Sequence, residues 1–338
     1  MSSTGQPTIA DLAQSLGLSK SAVSNALNDR PGVSAATRQR VREAADASGW
    51  RPNALARALS TGQAGAFGLC IARDSSVLGS ESYYQRVLAG IEEVLIDSEQ
   101  SLLLRLVGTG GADLDVYRRW AREGRVDAVA LMDMQSDDPR LPLVEELGLP
   151  AVIQGSIGGY RSAHGAGATP WPVVNGDVDA EAALLVDHLH QRGARRLAFL
   201  HGPLNFIHEV GRLAAVCGAC ESHGVTMRAI ETDYSQEAGL HFGNDLVDEG
   251  WADAVITSND LLAVGVARAC GDSPTVKIAS WDDSQLCAYL RPGITALNRH
   301  PQAVGRQVGL MLVHLARREP TQPEATPVTL VVRESTGG

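Results

Sequence analysis

Residues 18 to 34 read "LSKSAVSNALNDRPGVS". The middle of this stretch puts Val23, Ala26 and Leu27 on one side at helical spacing and Lys20, Ser21, Ser24 and Asn25 on the other. The second set consists of short or cationic hydrogen-bonding groups, and the stretch holds a single carboxylate, Asp29. Such a face suits the floor of a DNA major groove, where short donors and acceptors reach base edges and nothing repels phosphate. The competing reading is a helical hairpin with a solvated polar face.

Charge distribution favours the first reading. The chain of 338 residues carries a formal net charge of −10, yet residues 1 to 62 hold seven basic groups against four acidic ones, leaving the rest at −13. A small basic head on a large acidic body points to a head that alone meets a polyanion. Apolar content of 44% and charged content of 20% are those of a globular protein. No apolar run reaches the roughly 18 residues of a membrane span, and "MSSTGQPTIA" lacks the basic and apolar regions of a signal peptide. Five scattered cysteines fit a reducing compartment, so a cytoplasmic protein without a membrane partner is expected.

Three short helices position the polar face. "TIADLAQSLG" has apolar residues at helical spacing, with Thr8 as N-cap and Gly17 as stop; a second helix runs from Ser19 to Asn28; Ser34 caps a third, "AATRQRVREAADASG". Ala13, Gly17 and Val23 form a helix-turn-helix pattern, in which Ala13 lets the second helix cross and Gly17 permits the turn. "RPNALARALSTG" is a possible fourth helix, with little apolar surface and marginal by itself.

From about residue 65 the texture changes. The short apolar runs "AFGLCIA", "SLLLRLV", "DAVALM" and "PAVIQ" alternate with helical stretches at 83–98, 113–124 and 139–147. After the Gly/Pro-rich "GGYRSAHGAGATPWP" the runs are "RLAFLHG", "DAVIT" and "KIAS", with helices at 179–192, 208–223, 235–250, 259–271 and 283–290. A helix at 301–317 and the strand "PVTLVV" close the pattern. Alternation of this length predicts an α/β protein with parallel sheets covered by helices, here in two lobes with a ligand cleft between them.

The stretch from Thr8 to Gly62 resembles the DNA-binding head of the lactose/galactose repressor (LacI/GalR) family. The likeness continues through "SYYQRVLAGIEEVL", "RVDAVALM", "HLHQRGARRLAFLHGP", "SNDLLAVGVARA", "ASWDDSQLCAYLRPGITAL" and "VVREST". It implies a helix-turn-helix domain at 1–50, a hinge helix and linker at 51–64, and an effector-binding core at 65–338 resembling periplasmic sugar-binding proteins. The N-lobe is expected at about 65–172 and 300–327, and the C-lobe at about 173–299 and 328–338. The implied function is regulation of transcription, usually repression. The implied partners are double-stranded operator DNA, a second copy of the chain (tetramers occur in the family) and a small effector, most often a sugar. No cofactor and no enzymatic activity follow from it.

Carried onto this chain, the resemblance implies base readout by Lys20, Ser21 and Asn25, with Ser24 on the same face, and phosphate contacts at Ser19, Asn28, Ser34 and Thr37. Asn53, Ala56 and Leu59 fall in the hinge segment "RPNALARAL", where Leu59 would wedge into the minor groove. Many relatives have "VSR" where this chain has "VSN", and Asn pairs with adenine where Arg prefers guanine. For the effector it implies a clamp by Arg212 and its acceptor partner Asp282, rings from Tyr83, Tyr84, Tyr234 and Trp281, and amides from Gln154 and Asn259.

Other signals point away from chemistry. Cys217 and Cys220 form C-x-x-C at helical spacing with no second pair nearby, which reads as buried structural thiols and not as a zinc site. His188 and His190 lie two apart on a helix and face different sides. No nucleophile–base pair, metal cluster or phosphate-binding loop stands out, which disfavours an enzyme. A plain solute-binding protein would leave the basic head unexplained.

Overall fold

A computed structural model describes residues 7–27, 29, 31–50, 62–73, 79, 81–108, 110–156, 161–162, 165–166, 171–271 and 276–337. It divides into a unit ending at Gln63 and a unit running from Ala64 to Gly338.

In the first unit, helix α1 (Ile9–Leu16) opens with a reciprocal cap. The Thr8 side chain accepts from the Asp11 N–H, and the Asp11 carboxylate accepts from the Thr8 N–H at 2.8 Å. Gly17, at φ 64°, ends the helix in a left-handed turn that a side chain would strain. Ser19 Oγ accepts from Ala22 N at the start of α2 (Lys20–Leu27), and Ser34 Oγ accepts from Thr37 N at the start of α3 (Ala35–Ser48). Leu12, Ala13, Val23, Ala26, Val41 and Ala45 form the buried centre. Fixing three helices on so few side chains requires Ala13 and Ala26 to be small, so that the helix backbones approach closely. The expected hinge helix, with Asn53, Ala56 and Leu59, lies outside the described residues, as does Asn28.

The second unit is two lobes, each a sheet with helices on both faces. The strands of the first lobe are β1 (Ala66–Ala72), β2 (Ser101–Val107), β3 (Ala128–Leu131), β4 (Ala151–Gln154) and β7 (Val173–Val174), all parallel in the order β2-β1-β3-β4-β7. A small hairpin pairs β5 (Arg161–Ser162) with β6 (Gly165–Ala166). Around the sheet lie α4 (Ser82–Asp97), α5 (Ala112–Glu123), α6 (Arg140–Glu146) and the returning α12 (Pro301–Arg317). Phe67, Leu69 and Ile71 enter one core cluster while Cys70 enters the other, the two-residue period of a strand buried on both sides.

The second lobe orders its sheet β13-β12-β11-β10-β8-β9. Its strands are β8 (Arg196–His201), β9 (Thr226–Glu231), β10 (Ala254–Thr257), β11 (Lys277–Ser280), β12 (Thr295–Asn298) and the antiparallel β13 (Thr329–Val331). Helices α7 (Val178–Gln191), α8 (Ile207–His223), α9 (Gln236–Glu249), α10 (Asp260–Cys270) and α11 (Gln285–Tyr289) cover it, and a short 3-10 turn spans Glu334–Thr336. The chain therefore crosses between lobes three times, near 175–177, at 299–300 and between 318 and 328.

Three details differ from the sequence reading. Val173 and Val174 pair with β4, so the first crossing comes after them and not at 173. Strands β9 and β12 stand where no apolar run was expected: β9 ("TMRAIE") is an edge strand that can expose Arg and Glu, and β12 spans only four residues. Cys220 is buried as expected, but Cys217 is partly exposed, its thiol 3.6 Å from Glu221.

Glycines set the helix spacing in both lobes. A Cβ on Gly90 of α4 would stand 2.0 Å from the Gln302 carbonyl of α12, and one on Gly305 would stand 2.1 Å from the Val87 carbonyl. The same device recurs in α9 and α10, where a Cβ on Gly239 or Gly265 would come within 2.3 Å or 2.2 Å of facing backbone.

Candidate DNA-reading face and effector cleft

The head presents the polar face of α2 as the spacing requires. Lys20 and Ser21 are exposed, and Ser24 and Asn25 are partly buried beside them. Asn25 leans toward the following turn, its side-chain nitrogen 3.5 Å from the Pro31 carbonyl. Asp29 does not disturb this face. Both its oxygens accept from Arg42, at 2.7 and 2.9 Å, and Arg38 approaches to 3.2 Å. Ser19 and Ser34 cap α2 and α3, and Thr37 Oγ1 lies 2.9 Å from Ser34 Oγ. The N-termini of both helices, with their partial positive charge, are thus flanked by hydroxyls, a setting that suits phosphate oxygens.

In the second unit the carboxyl ends of the parallel strands converge on a cleft. Arg73 follows β1, Asp133 follows β3, Gln154 ends β4, Ser258 and Asn259 follow β10, Asp282 follows β11, and Arg299 follows β12. Tyr83 and Tyr84 enter from the first turn of α4, His208 and Arg212 from α8, and Tyr234 from the loop before α9. The lobes touch on both flanks. Gln135 pairs with Phe206 as an isolated bridge and Ile207 N donates to Met134 O at 2.9 Å on one side; Ser82 meets Asp260 and Arg86 meets Asp283 on the other. They enclose a chamber of about 80 Å3.

Charge in this chamber is matched pair by pair. Arg73 binds Asp133 at 3.1 Å and lies over the Phe206 ring at 4.1 Å. Asp133 also accepts from Tyr84 at 2.6 Å, and Arg73 holds its carboxyl below the ordinary range against the cost of burial. Arg299 pairs with Asp282 and stacks over Tyr83 at 4.6 Å. Arg212 donates to Glu209 at 2.9 Å, and Glu209 accepts further from Ser258 Oγ and Gly202 N, so it too stays below its usual range despite burial. Glu81 is the unmatched acid: burial pushes it up to about 8, with Asp133, Asp282 and Asp260 adding to the effect of burial and Arg73 opposing it. Burial pulls His208 down to about 4, Arg212 reinforcing it. Near neutral pH the walls are three arginine–carboxylate pairs with a neutral acid and a neutral imidazole. A site that is polar yet self-neutralised suits an uncharged, hydroxyl-rich ligand, with each ion pair offering both donors and acceptors.

The sequence-predicted residues divide accordingly. Tyr83, Tyr84, Gln154, Arg212, Tyr234, Asn259 and Asp282 all line the chamber. Trp281 does not: it is fully buried, packs near Phe199 at 6.1 Å, and its indole N–H donates to Glu181 at 2.6 Å. Its following residue takes the cleft position because successive side chains leaving a strand alternate faces. Asp282 pairs with Arg299, 17 positions along, and Arg212 pairs with Glu209, while both line the chamber. Asn259 spends its side chain on structure: its oxygen caps α10 through Leu262 N, and its nitrogen donates to the Tyr234 carbonyl. That bond helps hold Tyr234 at φ 67°, with its hydroxyl 3.1 Å from His208. Arg73, Glu81, Asp133, His208, Glu209 and Arg299 were missed. Two of them announce themselves in sequence, since Arg73 and Asp133 come just after the apolar runs "AFGLCIA" and "DAVALM", which end at the cleft. Among the described residues no group of three or more His, Cys, Asp or Glu is placed to hold a metal ion, and no helix is long and apolar enough to cross a membrane.

Residues 8–53 match the model of bacterial regulatory proteins of the lacI family, and residues 186–336 match that of a periplasmic binding protein-like domain. The HTH-type transcriptional regulator AglR of Rhizobium meliloti is 29% identical over 97% of this chain and 94% of its own length. Two solved structures share the fold: a lac repressor dimer bound to operator and the anti-inducer ONPF (TM-score 0.80, 21% identity, 98% and 99% of the two chains covered), and a complex of the transcriptional regulator CelR with cellobiose (0.73, 24%, 97% and 99%). A three-helix head that matches the lacI family model, followed by a two-lobed core whose residues 186–336 match a periplasmic binding protein-like domain, is the arrangement of the HTH-type transcriptional regulators to which this chain is similar.

Proposed function

We propose that the protein binds a palindromic operator as a homodimer, acts as a repressor in the cytoplasm, and is controlled by a carbohydrate in the cleft. The self-neutralised cleft carries the effector part of this reading: paired charges and three tyrosines suit hydroxyls and the apolar faces of sugar rings. The similar regulator CelR is solved in complex with cellobiose, which supports the same class. A second copy is supported by exposed apolar groups, Ile96, Leu286 and Tyr289, and by β2, an edge strand with Leu104 and Leu106 at its surface. In the head, Lys20, Ser21, Ser24 and Asn25 read bases, while Ser19, Asn28, Ser34 and Thr37 meet phosphates. Asn53, Ala56 and Leu59 act from the hinge segment.

Control is linkage. Effector stabilises one relation of the lobes and operator another, so each changes the affinity for the other by the same factor. Truncation separates the two activities: a protein lacking residues 1 to 62 should lose operator binding and keep effector binding. Retained binding to the same DNA would overturn the assignment. The effector is found by thermal shift against a panel of sugars and nucleobases, where a ligand at 100 times its Kd adds about 2.7 kcal/mol of stability.

A further inference from the structure

Beyond Tyr83 the cleft opens into a second chamber of about 310 Å3, which shares Tyr83, Gln154, His208, Arg212 and Arg299 with the first. Its chemistry is different. Val174, Val178, Ile207, Val210, Val304 and Val328 give it an aliphatic wall. Set into that wall is one carboxylate, Glu181, which is only 5% exposed. One Glu181 oxygen accepts the Trp281 N–H at 2.6 Å; the other makes no hydrogen bond to a described residue. Gly176 leaves room for that second oxygen, since a Cβ there would stand 2.7 Å from it. Glu181 lines the chamber, so an oxygen that no protein group donates to is open to a ligand hydroxyl.

Size separates the chambers further. Small-molecule pockets run from about 300 to 1,000 Å3, a range the outer chamber enters and the deep one, at about 80 Å3, does not. A ligand of more than one sugar unit that uses the Arg73–Asp133 and Arg299–Asp282 pairs therefore extends past Tyr83 into the outer chamber. Segments of all three crossings line that chamber, through Asn175, Arg299 and Thr326, so a ligand reaching it touches the parts of the chain that must bend when the lobes move.

We propose that the outer chamber is a second sugar subsite. The effector is then a glycoside of at least two units, with its hydroxyl-rich end among the ion pairs and a hydroxyl of the second unit donated to Glu181. This rests on the carbohydrate reading of the cleft above. The second unit lays its less polar face on the valines.

Calorimetry on the full chain tests it, with pyranose monosaccharides, their methyl glycosides and the disaccharides that contain them. A disaccharide should bind at least about tenfold tighter than its own monosaccharide. Val210→Trp, at an exposed wall position, should remove that advantage and leave monosaccharide binding alone. Glu181→Gln, which keeps an acceptor for Trp281, should weaken the disaccharide by about tenfold and spare the monosaccharide. Equal affinity for mono- and disaccharide, unchanged in Val210→Trp, overturns the subsite and leaves the carbohydrate reading standing. Silence from every sugar, with wild-type melting intact, overturns the carbohydrate reading and the subsite with it.

Discussion

The guanidinium of Arg212 lies 4.9 Å over the ring of Trp281, and Trp281 in turn donates its N–H to Glu181. An aromatic ring next to a cleft need not face the ligand. Here it is the platform that aims an arginine: Arg212 Nη1 is fixed by Glu209 and the Ser258 carbonyl, and its Nε and Nη2 make no hydrogen bond to a described residue. Stacking, in place of further hydrogen bonds, leaves those donors for a ligand.

Trp281→Phe separates platform from ligand contact. The variant strips the donor from a buried carboxylate and leaves a small void, so the core should lose about 2–4 kcal/mol in urea unfolding. A ring that met the effector directly would instead lower affinity with stability unchanged.

Glu81 should make the core sensitive to alkali. Its folded-state value, raised from 4.5 to about 8, means that the folded protein holds a proton the unfolded chain has released. The sign follows: this contribution is full below pH 4.5, declines as pH rises, and is gone above about 8. Melting temperatures from about pH 5 to about pH 9 should fall more steeply in the wild type than in Glu81→Gln, which stays neutral. Parallel curves would place Glu81 in water. His208 acts at the other end, its contribution present above 6.5 and lost as pH falls toward about 4.

Gly202→Ala should disarm the cleft without unfolding it. A Cβ there would lie 1.9 Å from the Tyr234 ring, so the ring must swing away from His208. Effector affinity should drop about tenfold, the worth of a lost hydrogen bond and ring contact. Gly218→Ala, on the same lobe with nothing within 4 Å, serves as the control and should bind as wild type.

Asn25→Arg should change which base is preferred at one position of each operator half-site, from adenine toward guanine, by about 1–3 kcal/mol. Selection from a randomised operator pool reads this directly. Since Asn25 leans on the Pro31 carbonyl at the limit of hydrogen bonding, it is free to turn to DNA at little cost. An unchanged preference would remove Asn25 from the readout.

The head was legible almost to the residue because its signals are local: Thr8, Gly17, Ser34 and Gly49 act within a turn of where they stand. Alternating runs likewise disclosed the parallel sheets. The cleft was harder, for its pairs join distant positions: Arg73 with Asp133, Asp282 with Arg299, Trp281 with Glu181. A single sequence says that Asp282 is polar at a strand end; it does not say which of several arginines will neutralise it. Nor does it say on which side of the sheet Trp281 emerges, a matter of one residue of register.

The glycine contacts between α4 and α12, and between α9 and α10, have a mechanical meaning. Where the helices meet glycine to backbone, the contact cannot be relieved by a change of side-chain rotamer. Each lobe is then a stiff block, with one such clasp in the first and one in the second. On the proposed effector control, relative motion of the lobes would then fall to the three crossings.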